Sequence, residues 1–122
     1  MKNTKTSKTN PRLLDLVRSL RKASAKNRAP VWREISRCLS KSRRNMAQIN
    51  LSRISRLTED GETVAVPGKV LGTGRLDHKV TIAALAFTAS VREKVGLAGG
   101  ACITLSQLLE ENPKGTGVKI MR

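Results

Sequence analysis

The chain has 122 residues, 39% of them apolar, with 24 Lys and Arg against nine Asp and Glu for a net charge of +15. That is enough chain for one domain with a real core, and too basic for a surface that meets only water and neutral solutes; a polyanion is the expected partner. Trp32 and Phe87 are the only aromatics, which excludes a base-stacking single-strand binder and leaves phosphates, 2′-hydroxyls and the shape of an already folded nucleic acid as the things to be recognised.

The charge is uneven. Residues 1–60 carry 16 Lys and Arg against Asp15, Glu34, Glu59 and Asp60, or +12, whereas residues 61–122 carry eight against five, or +3. Contact with the polyanion is therefore assigned mainly to the N-terminal half. Cys38 and Cys102 stand far apart and His78 is the single histidine, a pattern that suggests neither a zinc site nor a disulfide framework. The longest apolar run, VTIAALAFTASV, is too short and too interrupted by hydroxyls to cross a bilayer.

In chain order, residues 1–9, MKNTKTSKT, lack apolar periodicity and are expected to be a basic tail, disordered until bound. Asn10-Pro11 supplies a cap and a first-turn proline for a helix over 11–26. Leu13, Leu14, Leu16, Val17 and Leu20 share one arc of it at about 100° per residue, with Arg12, Arg18, Lys22 and Lys26 across from them. A second helix begins at Pro30, with Val31, Ile35, Cys38 and Leu39 as its apolar stripe and Trp32 at the edge. Arg33, Arg37, Lys41 and Arg44 form a ridge nearly opposite, diluted only by Glu34. Such a row can be a merely solvated face, but its single sign favours an RNA-facing ridge. Residues 10–45 thus read as a basic helical arm and 46–122 as an α/β core, together one domain.

From Met46 the elements shorten. QINLSRISRL reads as a brief strand into a short helix capped by Asn50. A turn at Asp60-Gly61 leads into a strand over 63–66 that Pro67-Gly68 is expected to stop. KVTIAALAF is the strongest strand, apolar enough to be buried on both faces. TASVREKVGLAGG follows as a helix ended by Gly99-Gly100. ACI is a short strand, and Thr104 with Gln107 makes a capping box for LSQLLEEN, which Pro113 terminates before VKIM closes the sheet. Strand–strand–helix units recur about three times, so the fold class is α/β with a two-helix basic segment in front.

The stretch VPGKVLGTGRL resembles a phosphate-binding loop and fails on inspection. In a P-loop the lysine follows the second glycine; here Lys69 follows the first, and only three residues separate Gly68 from Gly72. A dinucleotide fingerprint starting at Gly72 meets Asp77 where its third glycine belongs, and a strand rather than a helix follows. The glycines then read as a tight, bare turn, which either only shapes the fold or, through Lys69, Gly72, Gly74 and Arg75, meets RNA. Asp77-His78 has no nucleophile placed relative to it and reads as a surface histidine in a hairpin; Glu110 and Glu111 diverge on their helix and read as an acidic edge turned away from RNA. No catalytic residue, metal or cofactor is assigned. A chromatin-like DNA protein would need a dimer face or minor-groove wedges, neither of which is visible.

INLSRISRL, TVAVPGKVLGTGRLDHKVTIAALAF, REKVGLAGG and the ending NPKGTGVKIMR together resemble the archaeal and eukaryotic L-eighteen-e family of large-subunit ribosomal proteins, relatives of bacterial large-subunit protein fifteen. The likeness covers nearly the whole chain and looks like the compact archaeal form; Thr88 stands where many members carry serine, which keeps a capping hydroxyl. The resemblance implies an irregular strand–strand–helix superhelix and a cytoplasmic, non-catalytic constituent of the large subunit. Its expected partners are large-subunit ribosomal RNA and neighbouring ribosomal proteins, with no small-molecule substrate and no homo-oligomer. The expected contacts are Lys2, Lys5 and Lys8; Arg12, Arg18, Arg21, Lys22, Lys26 and Arg28; the ridge residues with Arg43 and Asn45; Arg53 and Arg56; and Lys69, Gly72, Gly74, Arg75 and Lys79.

Overall fold

In the computed structural model, which describes residues 11–40 and 47–122, two helices, α1 (Pro11–Asn27) and α2 (Pro30–Leu39), come first. They are followed by β1 (Ala47–Asn50), α3 (Leu51–Leu57), β2 (Glu62–Leu71), β3 (Val80–Phe87), α4 (Ala89–Leu97), β4 (Ala101–Thr104), α5 (Leu105–Glu111) and β5 (Val118–Ile120). The strands form one parallel sheet in the order β1-β2-β3-β4, with β5 also paired to β2. β5 takes Thr63–Ala65 and β1 takes Gly68–Leu71, so the two short strands lie end to end along the edge of β2 that β3 leaves open.

Parallel strands need both faces covered, and alternation along β2 and β3 sorts the side chains accordingly. Val64, Val66, Val70, Val80 and Ile82 pack with Leu51 and Ile54 of α3 and Val91 and Val95 of α4. Ala65 and Ala83 point the other way, into a layer made by α1, α2 and α5 through Leu20, Trp32, Ile35, Leu39, Leu105 and Leu108. Small residues on that face leave room for Trp32. It is wholly buried rather than at the edge of its helix, and its indole Nε1–H donates to the Pro113 carbonyl at 2.7 Å. The two N-terminal helices are thus packed against the sheet by their apolar stripes.

Three expectations need correction. β2 does not stop at Pro67-Gly68 but runs on to Leu71, with a register shift between Val66 and Lys69 against β3. The missing proline N–H falls where a bulge already interrupts the ladder. A Cβ on Gly68 would run into the backbone of Ala47, so glycine there is what lets β1 lie alongside. Second, β2 and β3 are parallel, so His78 sits in a return stretch, 72–79, and not in a hairpin. That stretch runs beside α3: the Ser52 N–H donates to the Thr73 carbonyl at 3.0 Å, His78 Nε2 lies 2.8 Å from Thr58 Oγ1, and the Lys79 N–H donates to Asp60 Oδ1 at 3.1 Å. Third, strand–strand–helix order occurs once, as β2-β3-α4; β1-α3 and β4-α5 are strand–helix units.

The local signals at helix ends held in two places. Thr104 Oγ1 accepts from the Gln107 N–H and Gln107 Oε1 from the Thr104 N–H, at 3.0 and 2.8 Å. Gly99, at φ +85°, closes α4 as expected. Asn50 does occupy the cap position of α3, but its side chain makes no cap bond; the loop carbonyl of Thr73 serves the first turn instead.

Candidate nucleic-acid interface

On α1 the apolar stripe buries Val17 and Leu20, and the 3.6-residue period leaves Arg18, Arg21, Lys22 and Lys26 exposed on the outer side. Arg28 is exposed in the turn that follows, and Arg33 and Arg37 are exposed on α2, whose inner side is filled by Trp32, Ile35, Cys38 and Leu39. These seven cations belong to the helical layer over one face of the sheet. Lys2, Lys5, Lys8, Lys41, Arg43, Arg44 and Asn45 lie outside the described residues, as does the side chain of Arg12.

Arg53 and Arg56 are exposed on α3, which covers the opposite face, and Arg75 and Lys79 are exposed on the return stretch beside it. The expected contacts are therefore divided between the two sides of the molecule. Lys69 precedes the inward Val70 and is exposed on the helical-layer face, paired in register with Gln48 and Ala86, which are exposed as well.

The glycine loop is turned towards the protein. Gly74, at φ +97°, lies where a Cβ would strike Ser52, and a Cβ on Gly72 would strike Ser90. The Lys94 ammonium on α4 donates to the carbonyls of both glycines, at 2.6 and 2.8 Å. Sequence inspection missed Lys94, which lies 20 residues beyond Gly74 in the chain, with β3 between them.

Other cations that sequence inspection did not assign to the interface are also tied down. The Arg92 guanidinium stands 5.1 Å from the centre of the Phe87 ring. Lys119 donates to the Leu57 carbonyl and to Glu62, the latter at 3.3 Å. Arg122 pairs with Glu34, which also accepts from Arg37 at 2.8 Å. The hydrogen bonds from Arg37 and then Arg122 hold the Glu34 carboxyl down at about 2. Glu62 is lowered by the Glu59 N–H and by Lys119, while burial raises the Cys102 thiol. Among the twelve described cations expected at the interface, only Arg37 has an acidic partner. No helix among the described residues is long and apolar enough to cross a membrane.

Comparison with known proteins identifies the family. The family model for ribosomal protein 60S L18 and 50S L18e matches residues 1–122. The chain belongs to the L18/L18e family of ribosomal proteins. It is 52% identical over 115 residues to the large ribosomal subunit protein eL18 of Methanoregula boonei, covering 94% of this chain and 95% of the relative. It is 47% identical over 117 residues to the eL18 of Methanothermobacter thermautotrophicus, covering 96% and 97%, and 46% identical over 114 residues to that of Archaeoglobus fulgidus, covering 93% and 97%. An L18/L18e protein is a structural component of the large subunit and not an enzyme.

Proposed function

We propose that the chain binds folded large-subunit ribosomal RNA through Lys and Arg contacts to phosphates and through shape, and locks RNA segments together as the cytoplasmic large subunit assembles. It acts as one domain, with the two basic helices as its principal RNA-facing segment, beside neighbouring ribosomal proteins and without a small-molecule substrate, cofactor or second copy of itself. The observation that carries this reading is the exposure of all twelve described candidate cations, eleven of them without an acidic partner, on both sides of the sheet. Trp32 is buried and Phe87 half-buried beside Arg92, so neither offers an open ring for base stacking.

If about eight of these cations neutralise phosphates, affinity falls by several orders of magnitude between low and moderate salt. Sedimentation of cell extract is the decisive experiment. The protein is expected to migrate with the large subunit and to leave it on ribonuclease digestion; a light peak indifferent to ribonuclease would refute the reading.

A further inference from the structure

Among the described residues, Arg28 is the one non-glycine with a left-handed backbone, at φ +51°. It sits just past the end of α1, where the Ala29 N–H donates to the Ser24 carbonyl at 3.1 Å and Asn27 Nδ2 to the Ala23 carbonyl at 3.0 Å. The same arrangement closes α4: the Gly100 N–H donates to the Val95 carbonyl at 2.9 Å, and the left-handed position between helix and bond is Gly99. One chain thus builds the same helix end twice, once with glycine and once with arginine. Glycine takes this conformation without penalty, whereas a Cβ makes it strained.

Arg28 cannot relax by moving the turn. Ala29, immediately after it, is 3% exposed within the Trp32 cluster, and Pro30 begins α2. Nor is the strain offset among the described residues, where the Arg28 side chain is exposed and has no hydrogen bond or ion pair. A cation past a helix C-terminus does favour the macrodipole, but Lys26 already occupies the last turn of α1 and the effect is weak at exposed positions. Strain that the fold does not use is a mark of function.

We propose that Arg28 is kept for an intermolecular contact, a backbone phosphate of ribosomal RNA held by its guanidinium at the α1–α2 turn. The guanidinium fork suits two oxygens of one phosphate, and the turn carries it on a rigid base, between Lys26 and Arg33 in the chain. The inference rests on the RNA-binding reading above and adds to it one anchor maintained against stability.

The test uses the full chain with transcribed large-subunit ribosomal RNA, measuring affinity across a salt series and the thermal midpoint of the free protein. Arg28→Gly is expected to raise the midpoint by roughly 3–6 °C, weaken binding about 5- to 10-fold and reduce the log–log salt slope by roughly one. Arg28→Lys, which keeps charge and Cβ but not the fork, is expected to leave midpoint and slope unchanged and to bind more weakly than wild type, though less so than the glycine variant. A glycine variant that gains stability yet keeps affinity and slope would overturn the proposal while leaving the RNA reading intact. A glycine variant that melts lower would show arginine to be structural and overturn it too. Salt-insensitive binding by the wild-type chain would instead sink the reading on which it rests.

Discussion

The two halves of the chain use their cations in opposite ways. Among the described side chains before Gly61, nine Lys and Arg stand on α1, the turn after it, α2 and α3, and only Arg37 meets an acid. After Gly61 there are eight, and four of them are engaged inside the molecule: Lys94 with the Gly72 and Gly74 carbonyls, Arg92 with Phe87, Lys119 with Glu62 and Arg122 with Glu34. The +12 against +3 imbalance of the sequence therefore understates the contrast in charge left available. A cation on a helix whose other face is core is held at the surface at no further cost. A cation near irregular backbone finds unpaired carbonyls to bind.

The largest effect comes from undoing the base on which the N-terminal cations stand. Trp32→Ala removes a wholly buried indole and leaves the Pro113 carbonyl without its donor, an expected loss of about 3–5 kcal/mol by denaturant unfolding. RNA affinity should fall with it, because α1 and α2 would no longer be fixed to the sheet. If affinity survives that loss of stability, rigid presentation is irrelevant and the contrast between the halves reduces to a count of charges.

Next in size is an exchange of roles. Lys94→Met cuts both bonds to the glycine loop and is expected to cost about 2 kcal/mol of stability while leaving the salt slope of RNA binding unchanged. Arg18→Gln, on the exposed side of α1, is expected to do the reverse, with no change in unfolding midpoint and a slope smaller by about one. The opposite pattern in either variant would erase the distinction between structural and RNA-facing cations.

What could be read in advance was what depends on near neighbours. Pro11 and Pro30 mark helix starts, Thr104 with Gln107 is a complete local device, and Gly99 ends α4 within its own turn. The errors at Pro67, Trp32, Lys94 and Arg122 involve distant partners. Pro67 reads as a stop because the bulge that accommodates it is defined by β3 alongside. Trp32 reads as peripheral because its acceptor, Pro113, arrives from the far end of the chain. Lys94 and Arg122 read as unremarkable cations because a carbonyl pair and a carboxylate meet them only in the fold. Charge asymmetry was legible as a sum; which charges the fold consumes was not.

Glu34 takes a cation from each half, since Arg37 comes from the first and Arg122 from the second. Its folded-state pKa lies at about 2, below the ordinary 4.5, chiefly through the Arg37 hydrogen bond and then that of Arg122. A carboxyl lowered in the folded state contributes stability that is fully present above its unfolded pKa and is lost as pH falls through the folded value. The window is therefore pH 4.5 down to about 2. Across it, wild type should lose denaturant resistance relative to Glu34→Gln, and the two curves should converge at the acid end. Near neutral pH the gap should be small, because the groups are exposed and water and salt screen them. The same substitution releases Arg37, so Glu34→Gln should bind ribosomal RNA at least as tightly as wild type. Weaker binding would mean that the Arg37–Glu34–Arg122 cluster presents a shape to RNA, rather than withholding one cation from it.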